Sequence, residues 1–73
     1  MQKRYTILRL PIVKNRTGLS RSTIYLRMAQ NSFPRQVPLG GRAVGWVESE
    51  IEAWLSQQID QSRKTAKLDK GVQ

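Results

Sequence analysis

Glycine punctuates this chain at two places that leave little choice of architecture. Gly18 separates two short candidate helices, and the pair Gly40-Gly41 separates two short extended segments. Pro11 opens the first helix, because proline's missing N–H is not needed in the first helical turn and its fixed φ is already helical. Gly18 closes it, leaving a helix over residues 11–17 that carries Ile12, Val13 and Arg16. After Gly18 and Leu19, the Ser20 hydroxyl is placed to cap a second helix over about residues 20–30 by accepting from an unpaired backbone N–H. Ile24 and Met28 share one face of that helix, while Ser22, Thr23 and Arg27 fall largely on others. Helix, glycine-containing turn, helix is the order of a helix-turn-helix.

From Phe33 the pattern changes. Pro34, Val37, Pro38 and Leu39 precede Gly40-Gly41, and Ala43, Val44, Gly45, Trp46 and Val47 follow it. Two extended segments around a Gly-Gly pair predict a β-hairpin, since glycine supplies the positive φ that tight hairpin turns require. The two prolines put its first strand at a sheet edge, where missing donors do no harm. Ile51, Trp54, Leu55 and Ile59 then recur at three- and four-residue intervals, an amphipathic helix over about residues 48–61 whose apolar stripe closes the core. Ser49 and Glu52 have capping-box spacing, which sets the start at Ser49 within a residue or two, and Glu48 and Glu50 suit the positive end of the helix dipole. Tyr5, Ile7, Leu8 and Leu10 form either a short strand or an extended lead-in. Trp54 is expected in the core, Trp46 at the junction between hairpin and last helix, and Tyr25 in the core rather than at a ligand.

The fold expected is mainly α with a small β-hairpin, a winged helix-turn-helix occupying residues 1–61, followed by a basic, disordered tail over residues 62–73 that is polar and without apolar period. Seventy-three residues suffice for one domain. Its core must be thin, and with no cysteine or histidine in the chain there is no disulfide or common zinc site to reinforce it.

Charge is divided along the chain. Nine basic residues and no acidic one lie between Met1 and Val47; residues 48–61 hold four acids and no base; residues 62–73 hold four bases and one acid, for a net charge of +8. A folded region with no carboxylate over 47 residues makes a continuous positive field, which points to a nucleic acid partner. Catalysis is not expected. The carboxylates Glu48, Glu50, Glu52 and Asp60 lie on one helix, where solvation and the dipole account for them, and no cofactor, metal or small-molecule site is indicated. No cysteine and no long apolar run at the N-terminus lead to the expectation of a cytosolic protein, at the nucleoid if its partner is DNA, with no membrane association.

The candidate contacts are Ser20, Arg21, Ser22, Thr23 and Arg27 on the second helix. They provide hydroxyls for phosphates or base edges and guanidinium forks for phosphate or guanine, crowded at an end where free backbone donors favour an anion. The Ser20 hydroxyl is claimed equally by its capping role. Arg42, immediately after the Gly-Gly turn, is at the wing tip; Arg35 stands at the hairpin's entrance, where an ordinary exposed role is an equal alternative; Arg16 on the first helix completes the set.

The run Arg16-Thr17-Gly18-Leu19-Ser20-Arg21-Ser22-Thr23-Ile24-Tyr25, with Phe33-Pro34, Leu39-Gly40, Arg42-Ala43-Val44-Gly45-Trp46, Glu48-Ser49-Glu50-Ile51 and Ala53-Trp54-Leu55 in that order, resembles the AlpA family of prophage transcriptional regulators. The similarity extends over about positions 8 to 59. It implies a winged helix-turn-helix related to MerR-like and excisionase domains. It also implies a regulator of prophage integration or excision genes, with residues 20–30 as recognition helix and residues 35–46 as wing. An architectural excisionase that bends attachment-site DNA is the alternative within that class, with self-association on duplex DNA open in either case. An RNA-binding basic protein is the alternative outside it, although no exposed aromatic platform of the RNA-binding type is apparent. Two positions depart from the family's pattern: Ile12 stands where an acid is usual, and Leu26 where a base is frequent.

Overall fold

A computed structural model describes residues 4–68 of the chain, with side chains through Lys64. Its elements run β1 (Ile7–Leu8), α1 (Leu10–Thr17), α2 (Arg21–Ala29), β2 (Val37–Gly40), β3 (Ala43–Val47) and α3 (Glu48–Leu68). These are the elements of a winged helix-turn-helix, as expected.

The turn between α1 and α2 is closed by local chemistry. Gly18 takes the left-handed conformation at φ 73° and donates its N–H to the Lys14 carbonyl at 2.8 Å, which satisfies one of the carbonyls a helix end leaves free. Thr17 Oγ1 donates to the Val13 carbonyl at 2.8 Å and accepts from the Leu19 N–H at 3.2 Å. Ser20 Oγ accepts from the Thr23 N–H at 3.3 Å and donates to Thr23 Oγ1 at 2.9 Å, so the predicted cap of α2 is in place. At its other end Asn31 adopts φ 58°, the one positive φ at a non-glycine among the described residues. The Ser32 N–H turns back to the Arg27 carbonyl at 2.8 Å.

The sheet has three antiparallel strands in the order β1-β3-β2. The lead-in is therefore a strand: Ile7 pairs with Val47 and Leu8 with Trp46. Across the hairpin Val37 faces Gly45 and Pro38 faces Val44, with an irregularity between Pro38 and Gly40. β2 lies at an edge, as its proline requires. Gly45 is buried where the two flanking strands close over β3. A Cβ there would collide with Ile7 Cγ2 and stand 3.0 Å from the Leu8 carbonyl oxygen and 3.3 Å from Leu39 Cδ1.

The core is as thin as the length demands. Leu8 from β1, Val13 from α1, Ile24 from α2, Phe33 from the connecting loop, Trp46 from β3 and Ile51 from α3 are its buried members, with Leu10, Leu19, Met28, Trp54 and Leu55 around them. Trp46 is fully buried and its indole N–H donates to the Pro34 carbonyl at 3.1 Å. Trp54, expected in the core, is instead half-buried at its margin: its ring meets Phe33 edge-on at 4.8 Å and its N–H donates to the Ser32 carbonyl at 2.7 Å. That bond to a loop carbonyl holds the ring at the surface side of the stripe.

α3 departs from expectation at both ends. It begins at Glu48, directly after β3, and the Glu48 N–H donates to the carbonyl of Thr6, the residue before β1, at 2.7 Å, so the lead-in to β1 serves where a cap was expected at Ser49. It continues to Leu68, so residues 62–68 extend the helix rather than begin a tail. The absence of an apolar stripe was the wrong guide there. Arg, Lys, Ala and Leu, which make up most of that stretch, have high intrinsic helix propensity, no glycine or proline intervenes, and basic residues suit the negative end of the dipole. Residues 69–73 of the expected tail lie outside those described. Among the described residues no helix is long and apolar enough to cross a membrane.

Candidate nucleic-acid interface

The orientation of α2 is set by Ile24, which is fully buried. At about 100° of rotation per residue, Ser22, Leu26 and Ala29 lie about 140 to 200° around the helix from it. All three are exposed, and Leu26 is 57% accessible. The centre of the outward face is therefore made of short or apolar side chains. Residue type does not single out Ala29, and Leu26 stands out in the sequence only as a departure from the family's pattern; the phase of Ile24 is the signal that places both on this face.

The arginines of α2 stand on its shoulders. By the same rotation Arg21 and Arg27 lie about 60° to either side of Ile24, and each is laid on an aromatic ring. The Arg21 guanidinium carbon is 5.5 Å from the centroid of Tyr25, which in turn meets Trp46 edge-on at 6.5 Å. The Arg27 guanidinium carbon is 5.9 Å from the centroid of Trp54. Cation–π contact of this kind is attractive and limits the rotamers each long side chain samples. Tyr25, half-buried between Arg21 and Trp46, is a support at the core's edge rather than a core residue proper.

Ser20, Arg21, Ser22 and Thr23 are gathered at the first turn of α2 and its cap, with the Ser20 hydroxyl engaged in capping and Thr23 half-buried beside it. Arg35 follows the helix, exposed, and donates to Asn31 Oδ1 at 3.3 Å. Arg42 is exposed in the turn that joins β2 to β3, at the end of the hairpin. Arg16 is engaged elsewhere: its guanidinium pairs with Glu48 at 2.8 Å and with Glu52 at 3.5 Å, tying α1 to the first turns of α3. That pairing joins residues more than thirty positions apart, and the charge pattern did not reveal it. The carboxylates among the described residues all belong to α3, none to the helix-turn-helix or hairpin.

Two helices joined by a tight turn, followed by an antiparallel hairpin, define a protein of the winged helix-turn-helix class. Within that class, the chain belongs to the family described as prophage CP4-57 regulatory protein (AlpA), whose model matches residues 6–59. That span agrees with the resemblance read from the sequence motifs. The DNA-binding transcriptional activator AlpA of Escherichia coli (strain K12) is 47% identical over 58 residues, an alignment covering 71% of this chain and 83% of that protein. An uncharacterized protein, ORF88, of Enterobacteria phage P4 is 50% identical over 52 residues, covering 71% of this chain and 59% of the phage protein, so this chain spans less than two thirds of that relative.

Proposed function

We propose that this chain is a sequence-specific duplex-DNA-binding transcriptional regulator of prophage integration and excision genes. On this reading α2 enters the major groove and the β2–β3 hairpin rests on the neighbouring backbone or minor groove. The observation that carries it is the acid-free stretch of the first 47 residues, which holds nine cations and contains both the helix-turn-helix and the hairpin. A phosphate backbone meets no carboxylate along that stretch, and each phosphate neutralised releases condensed counterions. Membership in a family with a DNA-binding transcriptional activator supports the same reading.

The roles divide by geometry. Ser20, Ser22 and Thr23 approach the DNA at the amino-terminal end of α2, where short side chains allow close contact and the dipole favours an anion. Arg21 and Arg27 reach phosphates on either side of the groove, Arg42 and Arg35 meet the adjacent backbone, and Arg16 acts by holding α1 and α3 together. The DNA-binding unit is residues 1–61, and the cations of residues 62–73 strengthen its attraction to DNA without choosing a sequence. A partner of this kind places the protein at the nucleoid.

A salt titration on duplex DNA tests the proposal. The log–log slope of affinity against salt is expected at about −0.9 per phosphate, for about four to seven phosphates. Affinity for a fragment upstream of a prophage integrase gene is expected to exceed that for random duplex. Equal affinity for both removes the sequence-specific claim, and preference for structured RNA over duplex DNA refutes the partner. A bending assay on attachment-site DNA separates a promoter regulator from an excision factor.

A further inference from the structure

At 57% accessible, Leu26 is the most exposed large aliphatic side chain between residues 4 and 64, and it stands near the centre of the outward face of α2. Burial against the protein does not account for an isobutyl group in that position. Ser22 and Ala29, its neighbours along the same face, are too short to hold the helix away from whatever it meets. Arg21 and Arg27 lie one to each side of α2, about 60° from the buried Ile24 and about 140° and 100° from Leu26, and cations on both sides of a helix suit a groove with a phosphate strand along each rim.

We propose that Leu26 is a specificity-determining residue that reads thymine, by packing its side chain against a thymine C5-methyl in the major groove. The inference rests on the assignment of α2 as the groove-reading helix and adds to it which base the helix prefers. In the major groove, thymine alone offers a methyl group, whereas guanine, adenine and cytosine present polar acceptors and donors. Leucine can bond to none of these, and a polar base edge buried against it without a partner is disfavoured. Attraction to the methyl and exclusion of the other bases thus act in the same direction. Serine and alanine on either side keep the contact local to one or two base pairs.

The test begins with a preferred site drawn by the protein from a pool of random duplexes, in which each thymine is then replaced singly by deoxyuridine so that only the methyl is lost. At one position or at two neighbouring ones the affinity is expected to fall about fourfold, the effect of exposing one buried methyl-sized group. In Leu26→Ala the thymine and uridine sites are expected to bind alike, while the far-ultraviolet spectrum and melting temperature are retained, since alanine is the better helix former at an exposed position. A preferred site with no thymine whose methyl matters overturns the inference alone, as does a Leu26→Ala variant that keeps the full methyl effect. Loss of concentration-dependent self-association in Leu26→Ala with the methyl effect unchanged also overturns it, and assigns Leu26 to contact between copies. A pool that yields no preferred site overturns both this inference and the sequence-specific part of the reading beneath it.

Discussion

Gly45→Ala sets two opposed effects against each other. A glycine inside a strand costs about 0.5–1 kcal/mol relative to alanine, so on backbone grounds the substitution is stabilising. Packing opposes it, because the new methyl would overlap Ile7 Cγ2 and press on the Leu8 carbonyl oxygen at 3.0 Å, which β1 cannot withdraw without loosening its pairing to β3. Inserting a methyl into a filled space costs about 1–3 kcal/mol, so packing outweighs the backbone gain and the net loss is about 1 kcal/mol, within a range of about 0–2.5 kcal/mol. For a domain of this size a loss of about 1 kcal/mol lowers the melting temperature by roughly 4 to 8 °C, readable by circular dichroism. Ile7→Ala removes the worst overlap. In that background Gly45→Ala is expected to fall to within about 0.5 kcal/mol of neutral, a coupling of about 1 kcal/mol between the two sites. Additive costs in the double variant, or stabilisation by Gly45→Ala alone, would refute the account of how β1 and β2 close over β3.

Ser20→Ala is expected to destabilise the fold by about 1 kcal/mol through loss of the α2 cap, with Ser20→Asp recovering most of it in the same urea titration. Arg42→Ala should leave the melting temperature unchanged and weaken binding to all duplexes alike, shrinking the salt slope by about 0.9; a change of sequence preference would contradict a backbone role for the hairpin tip. Arg16→Ala breaks an ion pair whose partners are both partly exposed, so its cost at low salt should stay under about 1 kcal/mol and shrink as salt is raised; a larger or salt-independent loss would show that the link from α1 to α3 is more than electrostatic.

What the sequence foretold is what short-range chemistry determines. Pro11, Gly18 and Ser20 each act on backbone groups within four residues, and the turn they predict is the turn observed. The Gly40-Gly41 hairpin is equally local, with both glycines at positive φ. The features that escaped depend on contacts between distant residues. Nothing near Ile7 decides between strand and lead-in until Val47 is across from it. Arg16 resembles a free cation until Glu48 and Glu52 are beside it. The end of α3 escaped for a different reason: apolar periodicity reports where a helix is docked, whereas propensity decides how far it continues. At the candidate interface, residue type singled out the arginines and hydroxyls, but only the phase set by Ile24 separates the shoulders of α2 from its outward face.

The two tryptophans explain how so thin a core holds a hairpin in fixed relation to the helix-turn-helix. A loop between α2 and β2 with free carbonyls would let the wing swing, and one ring of apolar contacts is a weak restraint. Trp46 Nε1 bonds the Pro34 carbonyl and Trp54 Nε1 bonds the Ser32 carbonyl, with the Phe33 side chain packed against Trp54 between these anchors, so β3 and α3 fasten the same three loop residues from two directions. The same rings lie in line with the cations: Trp54 carries Arg27 directly, and Trp46 backs Tyr25, which carries Arg21. Loop, wing and flanking arginines thus share one aromatic support. For the DNA contacts proposed above, which must match the fixed spacing of duplex phosphates, such a support is an advantage, because side chains already held near their bound geometry lose less freedom on binding. On this argument Trp54→Phe should do more than remove one hydrogen bond: it should loosen Arg27 and the wing together, weakening DNA binding more than its effect on stability accounts for.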